Sequence, residues 1–237
     1  YYLENGKKKD VRELLLNENI DTIFCNPNKQ TYMIDKELLT ESSVSLVNTC
    51  STGLSHIDLD YLNKEKIRLY SLTKDFDLIN ELPSTSELAF GLMVDLLRKI
   101  TISQEHVKQF NWDYTEFMGR QIKDLNIGII GFGRLGKLMY KYCEAFGANT
   151  SVYDPYIEGY NKTPLDEFIS NCDVISLHVH LNEQTKNLIN NQSLKKCKNS
   201  LIIINTSRGG LVNEKEIINK INLREIGGYG SDVLVDE

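Results

Sequence analysis

Apolar and polar positions along the chain predict short strands that alternate with short helices. The runs at 127–130 and 201–205 are almost wholly apolar, which is typical of strands buried on both faces of a parallel sheet. Apolar residues at helical spacing follow the first run, at 135, 138, 139, 142 and 146, and a second apolar strand then ends at Asp154. This order predicts an α/β fold in which parallel strands are connected by crossover helices.

The same pattern predicts the remaining elements. Predicted strands lie at 22–25, 44–48, 67–70, 173–178 and 227–234, and a turn lies at 26–28. Predicted helices lie at 11–16, 36–39, 58–66, 164–170, 191–196 and 213–221. In the helix at 58–66, Leu59 and Leu62 are expected to point inward.

Pro83 marks the predicted boundary between two domains, 1–82 and 83–237. Ser84 and Glu87 have the spacing of a capping box, which predicts a helix start there. The helix that follows, to about Ile100, is apolar almost all round, so we expect it to be covered on several sides, between domains or in a subunit interface. Residues 102–117 are expected to form a polar and aromatic connection.

Composition excludes several classes of partner. The 237 residues carry a net charge of −6 without a basic stripe, so nucleic acid and acidic membrane surfaces are not expected partners. No stretch is apolar enough to span a membrane, and none has a secretory pattern. The five cysteines are scattered and form no CxxC pair, which predicts reduced thiols in a cytoplasmic protein and no metal site.

The most informative motif is the glycine-rich stretch Gly131-Phe132-Gly133-Arg134-Leu135-Gly136, placed between a strand and a helix. Gly131 allows a tight turn, Gly133 lets the backbone approach a pyrophosphate, and Gly136 lets the helix pack closely on the strand. The helix N-terminus offers free N–H groups to the phosphates. Asp154 lies 23 positions after Gly131, where a carboxylate can accept the ribose hydroxyls of NAD. No Arg or Lys follows it to receive the 2′-phosphate of NADP.

Arg208 is the most informative residue outside this motif, because it follows a buried strand at the same sheet edge. Its planar guanidinium suits the carboxylate of a substrate, although a structural salt bridge is an alternative. Asp232 and Glu237 lie at and beyond the end of the next strand, and by themselves they are better explained as surface acids than as catalytic residues. The loop at 48–54 follows another strand, and composition alone leaves it either a ligand loop or a plain connector.

Several motifs together resemble the D-isomer-specific 2-hydroxyacid dehydrogenases, phosphoglycerate dehydrogenases among them. They are LNIGIIGFGRLG…YDP, CDVISLHVHL, LIIINTSRGGLVNE and GYGSDVLVDE, with TGLSHIDLDYL and SELAFGLMVDLLRK upstream, and they cover roughly residues 45–237. The resemblance implies a Rossmann-like coenzyme domain inserted in a flavodoxin-like substrate domain. It also implies NAD as cofactor, a small 2-hydroxy or 2-keto acid as substrate, and a homodimer.

The resemblance assigns roles to individual positions. Arg208 matches the residue that clamps the substrate carboxylate, and Glu237 the acid that partners a catalytic His. Asp232 matches a contact to the nicotinamide carboxamide, and the loop with Ser51, Thr52 and Gly53 faces substrate and nicotinamide. The remaining implied cofactor contacts are Arg134 and Leu135 at the pyrophosphate, Thr206 and Ser207 at the nicotinamide half, and His178 at a strand end.

The family's catalytic His has no match among the four histidines, because it would lie about twenty residues beyond Glu237. We therefore expect the sequence to be truncated at its C-terminus. The leading hypothesis is an NAD-dependent D-2-hydroxyacid dehydrogenase. An NAD(H)-sensing, co-repressor-like protein on the same fold is the alternative, and another NAD enzyme such as a formate or phosphonate dehydrogenase relative is a weaker one.

Overall fold

The computed structural model describes residues 1–3, 6–25, 32–54, 56–158 and 163–235. The chain divides into two compact units, residues 1–82 and a unit that begins at Pro83. The predicted turn at 26–28 and the predicted site residue Glu237 lie outside the described residues.

The first unit contains a parallel sheet of three strands in the order β1-β2-β3. The strands are β1 (Thr22–Cys25), β2 (Leu46–Thr49) and β3 (Arg68–Ser71), and the helices are α1 (Lys8–Asn17), α2 (Lys36–Leu39), α3 (Leu59–Lys64) and α4 (Phe76–Asn80). Val47 of the central strand is fully buried and pairs with Ile23 and Leu69. The inward orientation predicted for Leu59 is wrong. Leu59 is the first residue of α3 and is exposed, whereas Leu62, one turn later, is buried.

The second unit contains five parallel strands in the order β5-β4-β6-β7-β8. The strands are β4 (Asn126–Ile130), β5 (Asn149–Tyr153), β6 (Val174–Leu177), β7 (Ile202–Asn205) and β8 (Gly228–Ser231). The helices are α5 (Ser84–Arg98), α6 (Ile100–Lys108), α7 (Arg134–Ala145), α8 (Leu165–Ser170) and α9 (Glu214–Asn222). The predicted α/β fold with parallel sheets is confirmed. The central strands β6 and β7 are buried along their whole length, as their apolar runs indicate.

Successive residues of the central strands pack into two separate cores. Ile127 and Ile129 belong to the core under α5 and α7, with Met93 and Met139. Ile175 and Leu177 belong to the core on the opposite face, with residues of α8 and α9. Burying each of these side chains contributes about 1.5–3 kcal/mol, so both helix layers hold the sheet in place.

The start of α5 differs from the prediction. Pro83 occupies the N-cap position and no side chain caps the helix, so the predicted capping box of Ser84 and Glu87 is wrong. Pro83 itself continues the helical turn, which makes Ser84 the first helical residue rather than the cap. A polar residue of this turn, Ser86, is fully buried and donates a hydrogen bond from Oγ to the carbonyl of Leu135 at 3.0 Å.

Two further segments add detail to the prediction. Lys99 adopts a left-handed conformation with φ 56° that ends α5, and α6 then forms the first part of the predicted polar and aromatic connection at 102–117. The predicted helix at 191–196 is a series of turns. Asn190 caps the first turn, since its Oδ1 accepts the N–H groups of Gln192 and Ser193. The following N–H groups of Lys195 and Cys197 donate to carbonyls three residues back rather than four, so the segment continues as turns.

The five cysteines are all free thiols. Cys50 is exposed, Cys197 is half-buried, and Cys25, Cys143 and Cys172 are buried. Burial raises the pKa of Cys143 and that of Cys172 to about 12, so both are protonated at neutral pH. Among the described residues, no helix has the length and apolar character needed to cross a bilayer.

Candidate functional site

The candidate site is the edge of the second sheet at which its strands end. Because all five strands are parallel, the residues that follow them meet at one edge. Five predicted site residues lie there, each just beyond a different strand: Gly131, Asp154, His178, Thr206 and Asp232. Hydrogen bonds join these strand ends, since Gly131 N–H donates to the carbonyl of Tyr153 and His178 N–H to that of Ile130.

The three glycines of the motif have three different environments. Gly131 has φ +92°, and a Cβ there would lie 2.5 Å from the carbonyl oxygen of His178. A Cβ on Gly136 would lie 2.0 Å from the carbonyl oxygen of Gly131, so helix and turn are in direct backbone contact. Gly133 is exposed, and nothing lies within 4 Å of the position of its Cβ. The motif thus combines a tight turn, close helix packing and an open approach to the backbone.

The open glycine is also the N-cap of α7, and no side chain caps that helix. Arg134 and Leu135 are its first two residues, and the carbonyl of Leu135 is held by Ser86. The unpaired N–H groups in the first turn of this twelve-residue helix therefore lie next to Gly133, where no side chain obstructs the backbone. This arrangement fits the pyrophosphate of a dinucleotide.

Asp154 is attached to the glycine turn. Its Oδ2 accepts a hydrogen bond from the backbone N–H of Phe132 at 2.8 Å, and its Oδ1 accepts one from Tyr156 N–H at 3.0 Å. The sequence predicts only a ribose acceptor at this position, whereas the structure shows that the carboxylate also fixes the turn. A carboxylate has about four acceptor sites, so lone pairs remain for the ribose hydroxyls.

Two buried polar atoms at the same edge make no hydrogen bond to any described residue. They are Nδ1 of His178 and Oγ1 of Thr206, one position beyond the paired residues Leu177 and Asn205. The other ring nitrogen of His178 is 2.9 Å from Oγ of Ser176. Burial lowers the pKa of His178 to about 4, so the imidazole is neutral at pH 7. Buried polar atoms nearly always have a hydrogen-bond partner. The two unpaired atoms are therefore consistent with a polar ligand that binds at this edge.

Asn205 organises the loop that carries Ser207 and Arg208. It is fully buried, its Oδ1 accepts the N–H of Ser207 at 3.1 Å, and its Nδ2 donates to the carbonyl of Arg208 at 3.0 Å. Oγ of Ser207 donates to the carbonyl of Leu177, at 2.8 Å. Asn205 is not among the predicted site residues, although an amide at the end of an otherwise apolar strand is a signal for a buried polar role.

Arg208 is exposed, and its Nη1 donates to the carbonyl of Ser207 at 2.6 Å. The ion pairs formed among the described residues do not include Arg208, so the alternative of a structural salt bridge finds no partner there. Asp232 follows β8 directly and is exposed. An arginine presented from a fixed loop is suited to an anionic ligand.

The loop with Ser51, Thr52 and Gly53 belongs to the first unit and follows its central strand β2. Oγ of Ser51 donates to the carbonyl of Gly53 at 2.7 Å and lies 3.1 Å from Oγ1 of Thr49. Thr49 in turn lies 3.1 Å from Nε2 of His56. The loop is therefore held by its own hydroxyl groups, while Thr52 is exposed. No cluster of three or more His, Cys, Asp or Glu residues able to hold a metal ion occurs in the part of the chain that the structure describes.

Known proteins match the chain over this same sheet. Residues 90–237 match the family model described as "D-isomer specific 2-hydroxyacid dehydrogenase, NAD binding domain". A 2-hydroxyacid dehydrogenase homolog of Zymomonas mobilis is 29% identical and aligns with the whole chain, which covers 72% of that protein. The D-3-phosphoglycerate dehydrogenase of Rattus norvegicus is 28% identical over 82% of the chain, which spans only 37% of that enzyme.

Among solved structures, the D-lactate dehydrogenase of Aquifex aeolicus, complexed with NAD and lactic acid, is similar with a TM-score of 0.80 and 28% identity. The alignment covers 95% of this chain and 67% of that one. The matched residues 90–237 include all five strands of the second sheet, the glycine turn and Asp154.

Proposed function

This chain belongs to the D-isomer specific 2-hydroxyacid dehydrogenase family, with an NAD-binding domain in its second unit, and from this we propose that the protein is an NAD-dependent dehydrogenase of D-2-hydroxy acids. One observation carries the proposal: the glycine turn, Asp154 and an Arg208 without an ion pair to any described acid lie at one edge of one sheet. NAD, when bound, would accept hydride from the hydroxy acid, and NADH would donate it to the keto acid.

The residues of this chain would hold and orient the two ligands. The turn and the start of α7 would bind the pyrophosphate, and Asp154 the ribose. Arg208 would clamp the substrate carboxylate with two parallel hydrogen bonds. Thr206, Ser207, His178 and Asp232 would line the nicotinamide half. Glu237 would orient a His supplied by the rest of the protein as acid and base for the hydroxyl proton.

We assign the first unit to the substrate side and the second to the coenzyme side. In the first unit, the loop of Ser51, Thr52 and Gly53 would offer backbone N–H groups to the substrate. The hydroxyl of Ser51 donates a hydrogen bond to the carbonyl of Gly53 within this loop. The backbone conformation of the loop is therefore fixed before a ligand binds.

The alternative, an NAD(H)-sensing protein without turnover, is not favoured. The three similar proteins described above are named as dehydrogenases or a dehydrogenase homolog, and one is complexed with both NAD and lactic acid. Their substrates differ, since one name specifies 3-phosphoglycerate and another lactate. Arg208 accounts for the carboxylate that such acids share, so we propose the 2-hydroxy or 2-keto acid class without choosing one member.

The experiment is NADH oxidation by the full-length protein with a panel of 2-keto acids, phosphorylated members included, beside direct NADH binding by fluorescence. We expect turnover with one class of acid. Arg208→Gln should raise KM for that acid at least tenfold and leave the Kd of NADH nearly unchanged, whereas Arg224→Gln, at another exposed arginine, should change neither. Tight NADH binding without turnover on any acid would favour the sensor instead.

We also propose that the protein is a homodimer formed through the coenzyme unit. The segment after α6 exposes Phe110, Trp112 and Tyr114, with 98%, 88% and 77% of their surface accessible. Three such aromatic residues in one short segment exceed what a monomer usually leaves in water, which favours an interface. Light scattering after gel filtration should give twice the chain mass, and Trp112→Lys should shift it toward the monomer. A monomeric wild-type protein would contradict the proposal.

The free thiols support a location in the reducing cytoplasm, which we propose as the site of action. Fractionation of cells that express the full-length protein would test it. Recovery in a secreted or oxidising compartment would be the opposite result.

A further inference from the structure

One hydrogen bond joins two loops on opposite sides of the glycine turn. The hydroxyl of Tyr156, in the loop after β5, donates to Oε1 of Gln184, in the loop after β6, at 2.6 Å. Strands β5 and β6 are the two neighbours of β4, whose end carries the turn. The bond therefore connects the two walls of the edge on either side of Gly131.

Both ends of this bond are anchored in the backbone. Tyr156 N–H donates to Oδ1 of Asp154, so the tyrosine is tied to the carboxylate that also holds the glycine turn. Gln184 N–H donates to Oδ1 of Asn182 at 2.9 Å, and Oγ1 of Thr185 donates to the carbonyl of His180 at 2.6 Å. Ordered turns therefore present both side chains. Because the side chains are already held, little conformational entropy is lost when a ligand binds against them.

The ring of Tyr156 is nonetheless open to solvent. Its side chain is anchored at the hydroxyl, yet 78% of the residue is accessible. An aromatic ring that is fixed at both ends and uncovered offers a face on which a planar group can stack.

We propose that Tyr156, oriented by Gln184, forms the outer wall of the adenosine part of the cofactor site and stacks on the adenine. This inference rests on the proposed function, because it takes NAD as the ligand. The place of Tyr156 in the sheet indicates that its ring would contact the adenine rather than the nicotinamide. Tyr156 lies two residues after Asp154 at β5, one end of the sheet, whereas Arg208 follows β7 on the far side of β4. The nicotinamide must lie near the substrate carboxylate at Arg208, so the adenosine lies toward Tyr156.

The test compares ligands that contain only one half of the cofactor. ADP-ribose carries the adenosine without nicotinamide, and reduced nicotinamide mononucleotide carries the nicotinamide without adenosine. Binding of each, and of NADH, is measured by isothermal titration to the full-length wild-type protein and to Tyr156→Ala, Tyr156→Phe and Gln184→Leu. Tyr2→Ala is the matched control, because Tyr2 is an equally exposed tyrosine of the first unit, remote in sequence from this edge.

We expect Tyr156→Ala to weaken ADP-ribose and NADH binding about tenfold, the usual effect of losing one base-stacking aromatic ring. Tyr156→Phe and Gln184→Leu keep a ring but lose its tether, so we expect about a threefold effect. None of the three should change the Kd of reduced nicotinamide mononucleotide, and Tyr2→Ala should change no Kd.

Unchanged ADP-ribose binding in Tyr156→Ala would overturn the stacking role while leaving the proposed function intact. Equal weakening of both half-ligands would also overturn it, because a purely structural role would act on the whole site. Wild-type affinity in both Tyr156→Phe and Gln184→Leu would overturn the orienting role of Gln184. A wild-type protein that binds neither NADH nor ADP-ribose would instead contradict the proposed function.

Discussion

The carboxylate of Asp154 and the backbone N–H of Phe132 are joined by a hydrogen bond of 2.8 Å, which ties the end of β5 to the turn at the end of β4. The residue proposed to bind the ribose therefore also fixes the turn proposed to bind the pyrophosphate. A change at this carboxylate should act on both parts of the dinucleotide site at once.

Asp154→Asn should weaken NADH binding about tenfold, because the amide offers one acceptor oxygen in place of two. It should weaken NADPH binding less, because the variant no longer places a negative charge near the 2′-phosphate. Fluorescence titration with both dinucleotides measures the ratio of the two Kd values. Asp60→Asn, at an exposed position of α3, is the control. An unchanged ratio would remove Asp154 from the ribose site.

The first two glycines of the turn should respond differently to the same substitution. Gly131→Ala places a Cβ 2.5 Å from a backbone oxygen at φ +92°, so we expect the free energy of unfolding to fall by about 2–3 kcal/mol. Gly133→Ala meets nothing within 4 Å, so stability should stay within about 0.5 kcal/mol of wild type. Its added methyl group should still obstruct the pyrophosphate and weaken NADH binding.

Urea unfolding and NADH titration of the two variants separate these effects. A Gly133→Ala variant with wild-type NADH affinity would show that the open glycine is not part of the cofactor site. A Gly131→Ala variant as stable as wild type would mean that the turn can relax without cost.

His178 should make stability depend on pH in a defined range. Its pKa is lowered by burial from 6.5 to about 4 in the folded chain, so the unfolded chain binds the proton first as the pH falls. The stability that the neutral imidazole contributes is complete above pH 6.5 and is lost toward pH 4. The loss is of the order of 3 kcal/mol, at about 1.4 kcal/mol for each unit of pKa.

Urea unfolding of wild type and His178→Gln between pH 7.5 and 4.5 tests this. The glutamine cannot titrate, so the difference between the two proteins should change across that range. A constant difference would mean that the imidazole is accessible to protons in the folded state.

Asp173 lies at the opposite edge of the second sheet, directly before β6, where its side chain is 11% exposed. It pairs with Arg120 at 2.8 Å and Lys198 at 3.1 Å and accepts the N–H of Asn126. Burial alone would raise the pKa of Asp173, but these three hydrogen bonds outweigh it and hold the pKa below its usual value.

Asp173→Asn should therefore lower the free energy of unfolding at pH 7 by about 2 kcal/mol, since it leaves two cations without their carboxylate. The deficit should shrink as the pH falls below about 4, because the unfolded wild-type chain then binds a proton that the folded carboxylate takes up only at lower pH. Denaturant midpoints at pH 7 and pH 3.5 measure it, with Glu183→Gln as the exposed control. A deficit that is equal at both pH values would rule out the charge as its cause.

The glycine turn at the sheet edge can be predicted from the sequence because each of its structural requirements restricts one position to one residue type. A tight turn, an open backbone and a close helix contact each require glycine, so Gly131, Gly133 and Gly136 can be assigned from their order alone. Strands β4, β6 and β7 are predicted because apolar runs without a polar face require burial on both sides.

The features that the sequence does not predict depend on contacts between distant residues. Tyr156 and Gln184 are 28 positions apart in two loops without periodicity, and Ser86 and Leu135 are 49 apart. The predicted helix at 191–196 is wrong because the hydrogen bonds of Lys195 and Cys197 span three residues instead of four, although Asn190 offers a helix cap. The secondary-structure propensity of a segment does not show which side-chain hydrogen bonds form, because these depend on the tertiary structure.

The distribution of the thiols has a practical chemical consequence. Cys50 is the exposed cysteine, whereas burial raises the pKa of Cys25, Cys143, Cys172 and the half-buried Cys197 and slows their alkylation. A maleimide dye at neutral pH should therefore label Cys50 first, without any engineered substitution. Because Cys50 immediately precedes Ser51, the attached dye would report directly on the loop proposed to meet the substrate.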